Sequence, residues 1–182
     1  MKRRHLLLSL LGSLGLAGRS RSLHAADTKA DVEALKEDWQ TLLNPAAELD
    51  LSLDPVEKSK DEWRELLPEE SFEVLFEEET EPPFSNALNA EKRAGVYVCR
   101  ACDLPLFTSA MKYDSGTGWP SFFASIPEHL ATKPDHLLWV ERTEYHCVRC
   151  GGHQGHVFDD GPAPTHERWC NNGLALRFIA RA

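Results

Sequence analysis

The chain has 182 residues, 42% of them hydrophobic and 27% charged, which suits one packed domain with processing and linker segments to spare. The formal net charge is −9. An acidic surface repels phosphate backbones, which argues against nucleic acid as a partner and otherwise serves solubility.

The N-terminus reads as a leader rather than as part of a fold. Lys2, Arg3 and Arg4 open it, a mostly apolar run from Leu6 to Ala17 follows, and Ala25 and Ala26 offer small residues for cleavage. This is the three-part layout of a secretory signal. The apolar run is shorter than the roughly 20 residues a bilayer-spanning helix needs, so no stable membrane insertion is expected after cleavage. The Arg3-Arg4 pair resembles a twin-arginine export signal. The expectation is a signal peptide over 1–26 and an exported, periplasmic protein. Its loss removes basic residues and no acidic ones, making the remainder more acidic still.

Residues 27–58 form an acidic, helical N-terminal extension. Val32, Leu35, Trp39 and Leu42 recur at helical spacing, and Asn44-Pro45 ends the run. A second helix is predicted from Asp54 as cap, with Pro55 in its first turn, carrying Val56, Trp63, Leu66 and Leu67 and stopping near Pro68. Trp39 and Trp63 are expected to anchor these peripheral helices onto the main domain, which spans 59–182. Beyond Ser71 the texture becomes β-like. Short candidate strands at Phe72–Phe76, Val96–Val98, His136–Val140, Tyr145–Val148 and Leu174–Ile179 are separated by Gly, Pro and Asp-Gly turns, with Glu77-Glu78-Glu79 as a solvated turn. The pattern predicts a mainly β, mostly antiparallel domain with few helices.

The five cysteines divide by spacing. Cys99 and Cys102 form one CxxC pair, and Cys147 and Cys150 form another. Each CxxC turn can present two thiolates to one metal, and two turns complete a tetrahedral four-sulfur zinc site with no position open for substrate. Such a zinc is structural and contributes to folding. The competing reading is redox-active disulfides, which an oxidising compartment favours; two pairs in one small β domain favour zinc. Cys170 is the odd thiol. A buried, inert cysteine is the bland alternative. However, Arg168 and Asn172 flank it at two-residue spacing, so in an extended segment all three share a face. A guanidinium there is expected to lower the thiol pKa. His153 and His156 stand three apart in the Gly-rich run Gly151 to Pro162 and suit proton transfer near neutral pH. Trp119 sits between a flexible turn and Pro120.

Taken together, these segments resemble the methionine-R-sulfoxide reductase B family. The matching pieces are Thr80 to Phe84, Gly95 to Cys102 with Leu106-Phe107, Tyr113 to Phe122, Cys147 to Pro162, and Arg168 to Asn172 with Leu176-Arg177-Phe178, in that order. Coverage is roughly residues 60 to 180. The resemblance implies two small antiparallel sheets, a structural zinc on the two CxxC pairs, and reduction of the R epimer of methionine sulfoxide, mainly in oxidised proteins. It implies Cys170 as nucleophile, His156 and His153 as active-site histidines, and Arg168 and Asn172 as residues flanking the nucleophile. Trp119 corresponds to the residue that packs on the substrate methyl group, and Phe158 and Asp160 to supporting pocket positions. Many members carry a resolving cysteine where this chain has Thr117. Turnover is therefore expected to need an external thiol, thioredoxin-like or small, and the chain is expected to act as a monomer. Trp169 and Gly173 also depart from the family's usual residues. Two other classes compete: a non-enzymatic zinc-ribbon interaction module, which has no use for Cys170, Trp119 or the histidines, and a CxxC thiol-disulfide oxidoreductase, which would lack the metal.

Overall fold

The computed structural model describes residues 28–135 and 142–182. The leader and the candidate strand at His136–Val140 lie outside these residues. Among the described residues no helix is long and apolar enough to cross a membrane.

Three helices precede the sheets. Helix α1 (Lys29–Glu37) starts at a reciprocal capping box, Thr28 with Asp31, which satisfies two otherwise orphaned N–H groups. It ends at Asp38, and the same apolar stripe continues as a 3-10 turn over Trp39–Leu42. Val32 joins the main core, and Trp39 meets His129 edge-on at 5.3 Å. The second helix departs from expectation. It is α2 (Lys60–Leu66), capped by Ser59 with Glu62, and not by Asp54. Ser59-x-x-Glu62 is a full capping box, whereas Asp54 binds Ser52, so the stronger local start signal wins. The segment before it runs over the second CxxC turn instead: Val56 N–H donates to Arg149 O at 2.7 Å, and the Arg149 guanidinium holds Asp50. Trp63 is buried and stacks on Phe76 at 5.2 Å, as an anchor should.

The strand expected at Phe72–Phe76 is also corrected. It lies inside α3 (Glu69–Glu77). Phe-Glu-Val-Leu-Phe is β-prone in composition, but Pro68 opens a helix and Glu69 and Glu70 complement its N-terminal dipole. Ser71, Phe72, Val74 and Leu75 are buried together, a grouping at three- and four-residue spacing that only a helix produces. The expected Glu-rich turn is the end of this helix, where Glu78 takes the left-handed conformation and Glu79 N–H returns to Glu73 O.

Nine strands follow: β1 (Gly95–Cys99), β2 (Pro105–Thr108), β3 (Lys112–Tyr113), β4 (Ser121–Phe122), β5 (Leu130–Asp135), β6 (Arg142–Cys147), β7 (His153–Phe158), β8 (Arg168–Asn171) and β9 (Leu176–Ala180). They build two antiparallel sheets, in the orders β2-β1-β9 and β3-β4-β8-β7-β6-β5. The mainly β, two-sheet expectation holds. The last predicted strand divides: Gly173–Ala175 is a 3-10 turn, and only Leu176 onward pairs. An aromatic chain fills the core. Phe107 stacks on Phe122 at 4.1 Å, Phe122 meets Tyr97 at 5.0 Å, Tyr97 meets Phe178 at 4.8 Å, and Tyr145 meets Trp169 at 5.0 Å. These rings come from both sheets, and each pair is worth about 0.5–1.5 kcal/mol beyond its buried area.

Candidate active site and metal centre

The two CxxC turns are built alike. In the first, Cys99 ends β1, its N–H donates to Leu104 O, and its carbonyl accepts from Asp103 N–H. In the second, Cys147 ends β6, its N–H donates to Gly152 O, and its carbonyl accepts from Gly151 N–H. The fifth residue of each turn, Asp103 or Gly151, has positive φ, which curls the turn so that both sulfurs face inward. The sulfurs of Cys99, Cys102, Cys147 and Cys150 all lie within 4.8 Å of one another. Cys99 and Cys150 Sγ are 3.6 Å apart, and Cys102 and Cys147 Sγ 3.5 Å.

This donor set fits a metal ion. Tetrahedral zinc with bonds of about 2.3 Å requires sulfurs about 3.8 Å apart, close to those contacts. Gln154 Nε2 donates to Cys99 Sγ at 3.4 Å, a hydrogen bond suited to a thiolate. The cluster could therefore hold one metal ion. It joins the end of a strand in the three-stranded sheet to the end of a strand in the six-stranded sheet.

The remaining candidates gather on one face of the larger sheet. Cys170 in β8 pairs with Ser121 of β4 on one side and His156 of β7 on the other, and His156 pairs with Glu144 of β6. Because side chains directly opposite share a face, Ser121, Cys170, His156 and Glu144 form one cross-strand row. Arg168 and Phe158 are the next register pair on that face. Gly155 makes the pairing possible. A Cβ there would come within 1.9 Å of the Cys170 carbonyl oxygen, so only glycine lets the histidine strand lie this close to the cysteine strand. Residues 119–121 run alongside, with Asn171 N–H bonded to Pro120 O at 2.9 Å.

His156 Nε2 lies 2.8 Å from Asp135 Oδ2, and that carboxylate also takes Arg142 at 2.6 Å. Burial pushes the His156 pKa down more than Asp135 holds it up, so the ring is neutral near pH 7. His153 is buried deeper. Its Nδ1 lies 3.0 Å from Glu144 Oε1 at an angle poor for a hydrogen bond. Glu144 is itself buried and takes Lys133 at 3.1 Å. The two imidazoles are 5.5 Å apart.

Arg168 is committed to Asp160 by two bonds, of 2.7 and 2.9 Å, and its guanidinium lies over the Phe158 ring at 4.2 Å. Phe158 and Asp160 thus support Arg168. The guanidinium pulls the Cys170 thiol down as expected, but the net shift is upward. Burial pushes Cys170 up, Arg168 and the Thr117 hydroxyl pull it down, and burial wins. Part of the reason is that Asp160 neutralises the guanidinium and itself opposes ionisation of the thiol. Alkylation of Cys170 by iodoacetamide is therefore expected to keep accelerating with pH beyond the point where an exposed cysteine levels off. Arg168→Met removes the one cation beside the sulfur and should make the reaction about tenfold slower at neutral pH. A wild-type profile that levels off at or below the ordinary thiol value would refute this ordering.

Two neighbours of Cys170 along the chain have partners of their own. Asn172 is buried, and its amide is spent on Glu81 N–H (3.2 Å) and Gln154 O (3.2 Å). It fixes the chain beyond Cys170. Trp169 does not shape the site, since it alternates to the core face and packs on Tyr145. The Trp119 indole N–H donates to Glu81 O at 3.0 Å. Local spacing assigns no role to Glu81, Asp135 or Glu144, nor to the Ser115 hydroxyl that joins Thr117 (2.8 Å) to Ser121 (2.7 Å). Glu81 reaches Leu174 across 93 positions and Asp135 reaches His156 across 21, and local spacing carries no signal for such contacts.

Comparison with known proteins points one way. A family model described as the SelR domain matches residues 67–180. The chain is 48% identical over 124 residues to a peptide methionine sulfoxide reductase MsrB of Methanosarcina barkeri, covering 68% of this chain and 87% of that protein. It is 49% identical over 127 residues to the protein of that name from Hahella chejuensis (69% and 91%), and 46% identical over 127 residues to the one from Pseudomonas putida (69% and 96%).

Proposed function

Because the chain belongs to the SelR-domain, MsrB family of peptide methionine sulfoxide reductases, we propose that it reduces the R epimer of methionine sulfoxide in oxidised proteins, with Cys170 as nucleophile. The observation that carries this reading is the register that sets Cys170 directly opposite His156 on one sheet face, with the other four cysteines gathered elsewhere.

Cys170 sulfur attacks the sulfoxide sulfur. The sulfoxide oxygen needs protons to leave, and His156 stands nearer the nucleophile in the ladder than His153, which is enclosed beside Glu144. His156 therefore handles the proton, held in place by Asp135, and His153 packs behind it. The sulfoxide oxygen ends on Cys170 as –SOH, with the proton the thiol gave up, and the transient bond between the two sulfurs breaks; Cys170 is thereby oxidised by two electrons to a sulfenic acid as the methionine sulfur is reduced by two to the thioether. Trp119 supplies an apolar wall for the substrate methyl group. Such a wall disfavours the polar oxygen and so selects one epimer.

Regeneration uses an external thiol, thioredoxin-like or small. A first thiol condenses with the sulfenic acid, releasing water and leaving a mixed disulfide; a second releases Cys170 and the oxidised reductant. Thr117, whose hydroxyl helps pull the Cys170 thiol down, offers no sulfur for an internal disulfide. The four clustered cysteines hold one structural zinc ion, and their four sulfurs would leave it no site for substrate. All of these residues come from one chain, so a monomer suffices. Residues 1–26 are proposed to direct export to the periplasm, 27–58 to form the peripheral extension, and 59–182 the reductase domain.

The test is turnover on the two purified methionine sulfoxide epimers with dithiothreitol as reductant. The R epimer is expected to be consumed and the S epimer left at background. Equal rates, or none with either, would overturn the assignment.

A further inference from the structure

We propose that Glu81 is a positioning residue for this reaction, one buried side chain that locks the substrate wall to the strand carrying the nucleophile. The inference rests on the reading of Trp119 as that wall.

Glu81 is 3% exposed, yet it is fully engaged. Its Oε1 accepts from Gly173 N–H at 2.7 Å, and its Oε2 accepts from Leu174 N–H at 2.8 Å and from Asn86 Nδ2 at 3.3 Å. These are the first two N–H groups of the turn Gly173–Ala175 that follows β8, and a carboxylate accepting them makes stronger bonds than a neutral group would. The main chain of the same residue faces the site. Its N–H donates to Asn172 Oδ1, and its carbonyl accepts the Trp119 indole N–H. One residue thus grips the Trp119 indole, the Asn172 amide and the two peptides beyond that amide. Cys170 lies two residues before Asn172.

The physical logic is preorganisation. The indole has a single donor, and the carbonyl that takes it belongs to a segment with no ladder of its own: residues 78–86 form neither strand nor regular helix. What fixes that carbonyl is the Glu81 side chain, anchored to peptides about 90 positions away in sequence. A loose carboxylate would let Glu81 O drift and the indole turn. The effect belongs on substrate binding more than on the chemical step, because Cys170 is also held by two ladders of its own.

The test uses Glu81→Gln, Trp119→Phe and the double variant, each on the full chain with its metal. Glutamine preserves volume and one acceptor oxygen but faces the other N–H with an amide, so the fold should survive. Glu81→Gln is expected to raise KM for methionine sulfoxide about tenfold while kcat moves less than about threefold. In the Trp119→Phe background the same change should cost no more than about twofold, because the two act through one contact. Independently of turnover, the Trp119 indole N–H, assigned by its absence in Trp119→Phe, should exchange with solvent about tenfold faster in Glu81→Gln. Unchanged KM and exchange in Glu81→Gln would overturn the proposal, as would KM penalties that multiply in the double variant. If Trp119→Phe binds substrate normally, the reading of Trp119 fails and this proposal with it, while faster indole exchange in Glu81→Gln would still report the physical link.

Discussion

Cys170→Ser is expected to abolish turnover while leaving the metal content and thermal unfolding of the protein unchanged. A serine hydroxyl is far less nucleophilic than a thiolate toward sulfoxide sulfur, and it cannot carry the oxidation that a sulfur atom accepts. The loss should be on the order of 10⁴-fold or more, the scale seen when a sole nucleophile is removed. The structural cost is small. Cys170 is half-buried in β8, its ladder bonds are main-chain, and a serine hydroxyl is no larger than the thiol it replaces. The companion measurement is mass spectrometry of the wild type after one equivalent of substrate without reductant. Cys170 should gain one oxygen, trappable by dimedone, and no internal disulfide should appear. Residual activity within tenfold of wild type in Cys170→Ser would remove this residue from the reaction. A disulfide between Cys170 and any other cysteine would end the external-thiol scheme.

Stripping the metal, or replacing Cys147 by alanine, should unfold the domain rather than merely inactivate it. A metal held by the cluster would tie the end of β1 in one sheet to the end of β6 in the other. Structural zinc on cysteine ligands contributes about 10–16 kcal/mol of apparent binding free energy, against a total of about 5–15 kcal/mol for an ordinary domain. The aromatic core between the sheets cannot make up that difference. Chelation should therefore collapse near-ultraviolet dichroism and shift tryptophan emission to the red, with about one zinc released per chain. A metal-free chain that still unfolds cooperatively at the original temperature would show that the cluster is dispensable. Loss of four hydrogens in the native mass would show disulfides in its place.

Much of the site was legible in the sequence because its residue types are rare and sharply spaced. Two CxxC pairs plus one unmatched cysteine state their own division of labour, and the structure gathers the four sulfurs while leaving Cys170 on one sheet face. The mainly β class followed from short runs and frequent turns. The helix at 69–77 was misread because Phe72 to Phe76 is β-prone when taken alone; Pro68 and the two glutamates before it decide otherwise. The start of α2 was misplaced because the Ser59 and Glu62 capping pair was overlooked in favour of Asp54-Pro55.

The sequence by itself pointed to the atoms proposed for chemistry and those that could hold a metal, since sulfur and imidazole are chemically distinctive wherever the chain puts them. The tertiary structure alone decided how those atoms behave. Arg168 stands two residues from Cys170 in either description, but only the fold shows it tied to Asp160 and outweighed by burial. Asn172 belongs to the same local triplet, yet the fold spends its amide on Glu81 and Gln154. Proximity along the chain is fixed by covalent bonds, whereas desolvation and hydrogen-bond competition depend on segments that meet only after folding.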